Sequence, residues 1–568
     1  MQHSSPSVSR IEKISKPLSH SNLAATVLIP ALAIAGQATL AAAGGMAGGA
    51  VSGAAGGAAN GAAKGAAKGA ARQPNIVLIL ADDLGIGDVH CFNPGGKIPT
   101  PNVDRLAAQG VMFTDAHSTS ALSTPSRYSV LTGRYPWRTT LKQGVLGGFS
   151  DAMIAPDRST VASALSNLGY ETACIGKWHL GWHWAHTQDG DIDLTQAITE
   201  GPTTRGFDYF FGISASLDMA PYIFVENDRA TETRTRQMPR DKGVHLIHGG
   251  LAGEQFRPEE CLPELTRRAV AHIATWKGSG RPHFLYLPLT APHTPCLPSP
   301  EFKGRTGLGD YGDFVAMMDD VVGQVIEAVR RSGQLSNTVI VFASDNGCAP
   351  YADTRALEAA GHYPSYIYRG YKSDIFEGGH RIPLVVYGRP AVDRRHRGTM
   401  AGAIVTLADL YATFVEIAGG ASAGAEDSFS LVPLLRGGKA PASGSAGVHA
   451  LGSEEYIISV SGNGWFSIRD RRYKLIFTPG SGGWAFPNKP EDLAGLPDRQ
   501  LYDIVNNPGE TVNLIDDPAL QGDIARLTEK LREFILNGRS IPEGRGDSPN
   551  SGNDTPHLWR QTEPVFRD

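Results

Sequence analysis

The 568-residue sequence predicts an α/β protein: a large, mixed, mostly parallel sheet sandwiched by helices, followed by a smaller C-terminal α+β domain carrying an antiparallel sheet. Three observations lead there. Residues 76–81, 284–289 and 339–343 are nearly unbroken apolar runs, as strands covered on both faces are. Helical patterns lie between them. The longest, over 311–332, carries Met317, Met318, Val321, Val322, Val325, Ile326 and Val329 on one stripe and reads as core. After Arg436 the pattern changes to short alternating segments with turn residues between them.

Lys plus Arg total 52 and Asp plus Glu 57, a formal charge of −5, so no nucleic-acid partner is expected. The first twenty residues are mostly polar and include Arg10, Lys13 and Lys16; residues 22–43 are uncharged and rich in Ala, Leu, Ile and Val. Residues 1–43 therefore read as an export signal, with a membrane anchor as the alternative; Pro30, Gly36 and Gln37 weaken a spanning helix. The expected location is the bacterial periplasm or outside the cell, with membrane contact only through an uncleaved N-terminal segment. Residues 44–72 form a Gly/Ala-rich linker with little to bury. The main domain is expected over 73–436, the small domain over 437–540 and a polar tail over 541–568. The odd number of cysteines, at 91, 174, 261, 296 and 348, leaves at least one unpaired in a monomer, and their spacing matches no compact zinc cluster.

The first strand, 75–81, runs into Asp82-Asp83. Ligands gather outside the carboxyl ends of strands in open α/β sheets, and an acidic pair there suits a hard cation; alone, the pair is also an ordinary turn. Thr100 and Pro101 start a helix that Gly110 ends, and 111–116 is a strand. Next comes Leu122-Ser123-Thr124-Pro125-Ser126-Arg127. Thr124 suits an N-cap, Pro125 the first helical position and Gly133 the end. Ser123 then stands beside helix N–H groups that attract an anion, with Arg127 able to turn back on it. A hydroxyl beside a cationic hole is an arrangement for nucleophilic catalysis; the plain alternative is a Ser/Thr/Pro turn with a surface Arg.

Residues 159–168 form a helix with Val161, Leu165 and Leu168 on one side. Lys177 and His179 follow, two apart, so extended backbone faces them the same way, a fixed charge beside a proton carrier. Trp182, His183 and Trp184 form either a sugar-facing wall or a packed loop. Residues 189–250 read as an irregular insertion of the kind that shapes substrate choice, crossed by a strand at 222–226. A helix is expected over 263–276, started by Pro263, and a strand over 283–289 with His293 in the Pro-rich turn at its end. Strand 338–344 runs into Asp345 and Asn346, which complete with Asp82 and Asp83 a four-side-chain oxygen cage. Gly378 and Gly379 permit a tight approach before a strand over 382–387, and 406–418 is a helix. The small domain is expected to hold strands at 455–460, 464–469 and 473–478 and a closing helix over 518–536.

These segments resemble the sulfatase family. Ser123-Thr124-Pro125-Ser126-Arg127 followed by Leu131-Thr132-Gly133-Arg134 is similar to the family signature in its serine-type form. Gly176-Lys177-Trp178-His179-Leu180-Gly181 resembles the second signature, and Lys372 stands five residues before Glu377-Gly378-Gly379 as in the family pattern. The resemblance spans 73–536 and implies an alkaline phosphatase-like fold with its catalytic domain over 73–436. It also implies that Ser123 is converted to formylglycine (3-oxoalanine) by a serine-type maturation enzyme, and that its hydrated aldehyde attacks sulfur. One calcium ion would be held by Asp82, Asp83, Asp345, Asn346 and the modified Ser123. Arg127, Lys177 and Lys372 would hold the sulfate oxygens, His179 would hold or deprotonate the nucleophile hydroxyl, and His293 would protonate the leaving alcohol. The expected activity is that of a sulfuric ester hydrolase on sulfated glycans, such as galactose or N-acetylgalactosamine 6-sulfate, and on aryl sulfates. The alternatives are a phosphate-ester hydrolase of the same superfamily, with two metals, or an inactive exported glycan-binding protein.

Overall fold

Every residue of the strand Asn75–Asp82 is buried, as a run without alternation requires when helices cover both sheet faces. Its alternate side chains part. Ile76, Leu78 and Leu80 join one core with Leu165, Leu410 and Phe414; Val77, Ile79 and Ala81 join the other with Val103, Val321 and Val325. The structure, a computed structural model, describes residues 72–422, 424–437, 450–451, 454–538, 540 and 560–566. The expected export signal, nearly all of the linker, most of the loop after Arg436 and most of the tail lie outside the described residues. Among the described residues no helix is long and apolar enough to cross a membrane.

The main sheet has ten strands. Their order is Thr399–Ala401, Val111–Phe113, Leu384–Tyr387, Thr338–Ser344, Asn75–Asp82, His283–Pro292, Glu171–Lys177, Tyr209–Ile213, Val225–Glu226 and Arg229–Ala230. The five strands from Thr338–Ser344 to Tyr209–Ile213 are parallel. Their carboxyl ends therefore open on one edge. Asp82, Lys177, His293, Asp345 and, after the strand Tyr209–Ile213, Ser216 all emerge there, which gathers chemistry from five separated segments.

Several boundaries differ from the sequence reading. The helix at Ser123 runs Ser123–Thr132, with Leu122 rather than Thr124 at the N-cap. Thr124 is diverted: its hydroxyl donates to the carbonyl of His179 at 3.0 Å and accepts from the Leu146 N–H at 3.2 Å, tying the helix to two loops. Gly133 does end the helix, in the left-handed region at φ 63°. The helix expected from Pro263 begins at Cys261, after a 3₁₀ turn. The glycine pair holds as expected. A Cβ on Gly378 or Gly379 would overlap the carbonyl oxygens of Gly370 or Asp374, so Lys372 can lie on a loop packed directly against its own continuation. All five cysteines are free.

The small sheet is antiparallel, in the order Ile457–Val460, Phe466–Arg469, Tyr473–Ile476 and Gln500–Asp503. Helix Gln521–Leu536 covers it with Leu527 and Leu531, and Tyr135 and Trp137 of the main domain complete the same core. Below them Asp427 is fully buried. Its carboxylate accepts from Arg138 at 2.7 and 2.8 Å, from the Tyr135 N–H at 2.8 Å and from Ser540. Asp427→Ala leaves the Arg138 charge buried without that partner and is expected to cost about 3–5 kcal/mol. A fall in the thermal midpoint of the purified protein checks this; an unchanged midpoint contradicts it.

Candidate active site

Asp82, Asp83, Arg127, Lys177, Asp345 and Asn346 lie in one buried cluster at the carboxyl edge of the sheet. Three carboxylates face three cations. Lys177 Nζ is 2.7 Å from Asp82, Lys372 Nζ 2.7 Å from Asp83, and Arg127 donates to Asp345 Oδ2 at 2.7 and 3.0 Å. Such a group is stable in low dielectric only because each charge has a partner. Burial opposes ionisation of Asp82, but Lys177, His293, Arg127 and Lys372 together override it and hold the carboxyl well below its usual range. Burial likewise works against the Lys372 ammonium, while Asp83 and Asp82 keep it above the ordinary lysine range.

Ser123 Oγ sits in this cluster, 3.3 Å from Asp82 Oδ1 and 3.4 Å from Asn346 Oδ1. The Asn346 amide nitrogen donates to Asp83 Oδ1 at 2.7 Å, which turns its carbonyl oxygen toward Ser123. Asp82, Asp83, Asp345 and Asn346 thus offer a buried, all-oxygen donor set, the kind that suits a hard divalent cation. The other buried group of potential metal ligands among the described residues is His117, Glu377 and His380. Lys474 and Arg469 already occupy it, at 3.1 Å each from Glu377, so it serves as a charge network between the two sheets rather than as a second metal centre.

Above the cluster opens a cavity of about 270 Å³ whose floor carries Ser123, His179, His293, Lys372 and Ser216. His179 reaches it differently from the expected strand pleat. The strand stops at Lys177, and His179 takes a left-handed φ of 58°, as Asp83 does at 62°. Such conformations cost non-glycine residues energy and collect at functional sites. His179 Nε2 is 2.8 Å from the Leu146 carbonyl, so this nitrogen carries the proton, and Nδ1 has no partner. Burial, then Lys177 and Arg127, push the imidazole well below its usual range. It is therefore neutral near pH 7 and presents a lone pair on Nδ1. His293 is oriented by Nδ1, which donates to the Thr294 carbonyl at 2.5 Å; its Nε2 lies 3.2 Å from Ser216 Oγ and 3.5 Å from Asp83.

The expected sugar wall is corrected. Trp182 and Trp184 are 1% and 6% exposed and pack in the main core, edge to face at 5.3 Å, with Trp182 also against Phe210. Burying two indoles stabilises the fold more than presenting them to solvent would. His183 between them points outward beside Asp151, 3.7 Å away, and is not among the cavity's lining residues. Tyr351 and Trp484 line the cavity instead, together with Ser216 and Asp218. The last two follow the strand Tyr209–Ile213, which lies inside the segment read as an irregular insertion; its apolar Tyr-Phe-Phe-Gly-Ile run was the signal that could have found the strand and the residues past its end.

A buried hydroxyl at a helix start, among three cations and an oxygen cage, defines a hydrolase for anionic esters. The sulfatase family model matches residues 74–421. The chain is 31% identical over 499 residues to the N-acetylgalactosamine-6-O-sulfatase of Bacteroides thetaiotaomicron, covering 81% of this chain and 93% of that protein. It is 33% identical over 485 residues to human arylsulfatase A, covering 82% and 87%. A solved structure described under the metabolism of multiple glycosaminoglycans by Bacteroides thetaiotaomicron superposes with a TM-score of 0.70 at 30% identity, covering 83% of this chain and all of that one. The chain belongs to the sulfatase family. It is a sulfuric ester hydrolase with the family's alkaline phosphatase-like fold.

Proposed function

We propose that this enzyme removes sulfate from sulfated glycans, through a formylglycine made at Ser123 by a serine-type maturation enzyme. We further propose that calcium is the ion in the oxygen cage and that the protein works in the periplasm or outside the cell, exported by its N-terminal segment. The observation that carries the chemistry is the position of Ser123 Oγ, in contact with Asp82 and Asn346 and on the floor of a cavity shared with His179, His293 and Lys372. The glycan reading draws on relatives named for N-acetylgalactosamine-6-O-sulfate and for glycosaminoglycan metabolism.

Each residue then has a task. Arg127, Lys177 and Lys372 supply three fixed positive charges against the sulfate oxygens, where charge grows in the transition state. His179 accepts a hydrogen bond, or the proton, from the attacking hydroxyl through Nδ1. His293 gives a proton from Nε2 to the leaving alkoxide. Ser216 holds both His293 and Lys177, at 3.2 and 2.7 Å, and so fixes the acid relative to the anion site. A formylglycine at Ser123 would supply a geminal diol: one hydroxyl as the attacking group, and a second whose loss of a proton would break the carbon–oxygen bond to sulfate and restore the aldehyde, a route a plain serine ester lacks. Asp82, Asp83, Asp345 and Asn346 would hold a hard cation, which would add charge compensation at the sulfate oxygens.

The test is the mass of the peptide holding Ser123, from protein made in its native host. A loss of two hydrogens at Ser123 is expected; unmodified Ser123 in turnover-competent protein overturns the mechanism. Exhaustive chelation is expected to lower kcat/KM by about 10²-fold or more, with calcium restoring it. Full activity after chelation removes the cation from the account.

A further inference from the structure

The walls of the cavity carry features that the sulfate chemistry does not use. Asp218 lies five residues past the strand Tyr209–Ile213, is 4% exposed and lines the cavity. Its backbone carbonyl is held by the Tyr222 hydroxyl at 2.7 Å and the His248 N–H at 2.9 Å. Its carboxylate is less well served. Oδ2 has His248 Nε2 at 3.4 Å, and Oδ1 has no hydrogen-bond donor. A buried carboxylate oxygen without a donor is costly, and the cavity is the open space from which one can arrive. Neither the ion cage nor the attacking group calls on Asp218.

Two further features describe what arrives. Tyr351 and Trp484 line the same cavity with their rings 5.6 Å apart at 55°, and they stay 46% and 42% exposed, so together they offer an open aromatic surface at the site. Among the described residues lining the cavity there is no arginine, and the one lysine, Lys372, lies at the floor against Asp83. A volume of about 270 Å³ sits at the low end of small-ligand pockets and suits one sugar ring.

We propose that Asp218, paired with His248, accepts hydrogen bonds from ring hydroxyls of a single neutral sugar carrying one sulfate, while Tyr351 and Trp484 take its apolar face. This rests on the glycan reading above and narrows it. A uronate or a second sulfate on that ring meets Asp218 and finds no arginine or lysine beside it among the lining residues, so like-charge repulsion and uncompensated desolvation select against it. Aryl sulfates need no hydroxyl acceptor and depend on Asp218 less.

The experiment uses the mature, metal-loaded full chain and three probes: N-acetylgalactosamine 6-sulfate, the same ring bearing sulfate at both positions 4 and 6, and 4-nitrophenyl sulfate. The wild type is expected to favour the monosulfated ring over the disulfated ring by about 10-fold or more in kcat/KM. Asp218→Asn is expected to lower kcat/KM for the monosulfated sugar about 10- to 100-fold further than for the aryl sulfate, chiefly through KM, and to narrow the gap between the two sugars. Trp484→Ala is expected to raise KM for the sugar in the same direction, with an unchanged thermal midpoint separating lost binding from lost folding. Parallel losses on sugar and aryl sulfate would show a structural role for Asp218 and overturn the proposal, as would equal turnover of the two sugars. Turnover of the aryl probe without any sulfated sugar among a wider panel would instead sink the glycan reading, and this proposal with it.

Discussion

Ser123→Ala is expected to lower kcat/KM for every sulfate monoester by at least about 10⁴-fold, the scale on which nucleophile removal acts in other hydrolases. The side chain is small, and Ala fits its place at the helix start. The helix itself is held by Thr124 on the His179 carbonyl and by the left-handed end at Gly133, neither of which involves the Ser123 hydroxyl. Folding should therefore survive, and an unchanged thermal midpoint beside lost turnover separates chemistry from structure. The cations remain in the mutant, so sulfate esters should still bind. A variant that keeps more than about a hundredth of wild-type kcat/KM would show that another group attacks sulfur, since charge compensation alone leaves far less. Ser123→Cys adds a sharper contrast. It keeps a convertible side chain but presents a thiol, so its activity is expected to follow the presence of a cysteine-acting maturation enzyme in the host.

His293→Ala carries the second largest expected effect, and that effect depends on the leaving group. General acid catalysis contributes about 10²–10⁴-fold where the leaving alkoxide is basic, as a sugar oxygen is. A nitrophenolate leaves without a proton, so the loss on 4-nitrophenyl sulfate is expected to be much smaller. The ratio of the two losses is the measurement. His293 donates through Nδ1 to the Thr294 carbonyl, so the ring is aimed by its own turn and its Nε2 is the group that faces the site. Equal losses on both substrates would make His293 a ligand or spacer rather than the acid. Ser216→Ala should reproduce part of the leaving-group dependence, because it loosens His293 without removing it.

Much of the architecture was legible because its signals are local. The runs at 75–81, 283–289 and 338–344 announced buried parallel strands, and each was found within a few residues of its expected bounds. Parallel strands place their ends on one edge, so the acidic pair at Asp82 and the pair Asp345 and Asn346 could be expected to meet. Helix starts were less legible. Thr124 looked like a cap, yet tertiary partners claimed its hydroxyl, and the helix began two residues earlier than the cap predicted. The pairing of Lys177 and His179 by strand pleat is not what the structure shows: Lys177 reaches Asp82 in the buried cluster, and a left-handed turn at His179 brings the imidazole to the cavity.

The sequence by itself determined the family, the buried strands that carry the chemistry-bearing segments and the candidate residues at their carboxyl ends. Those rest on residue type and short spacing, which the chain carries in one dimension. Tertiary structure alone decided the walls of the cavity. Trp182 and Trp184 lie next to His179 in the chain but turn into the core, because burying their rings is worth more than proximity to the site. Trp484, 305 positions past His179, comes to the cavity because the Gly483 backbone packs against Ser373 and Asp374, and both Trp484 and Ala485 donate their N–H groups to Asp374. Asp218 and His248 meet across a long insertion whose short strands, Val225–Glu226, Arg229–Ala230 and Thr235–Met238, carry no periodicity that marks a partner. Closeness of that kind is settled by packing and hydrogen-bond satisfaction over the whole fold, and a local pattern does not encode it.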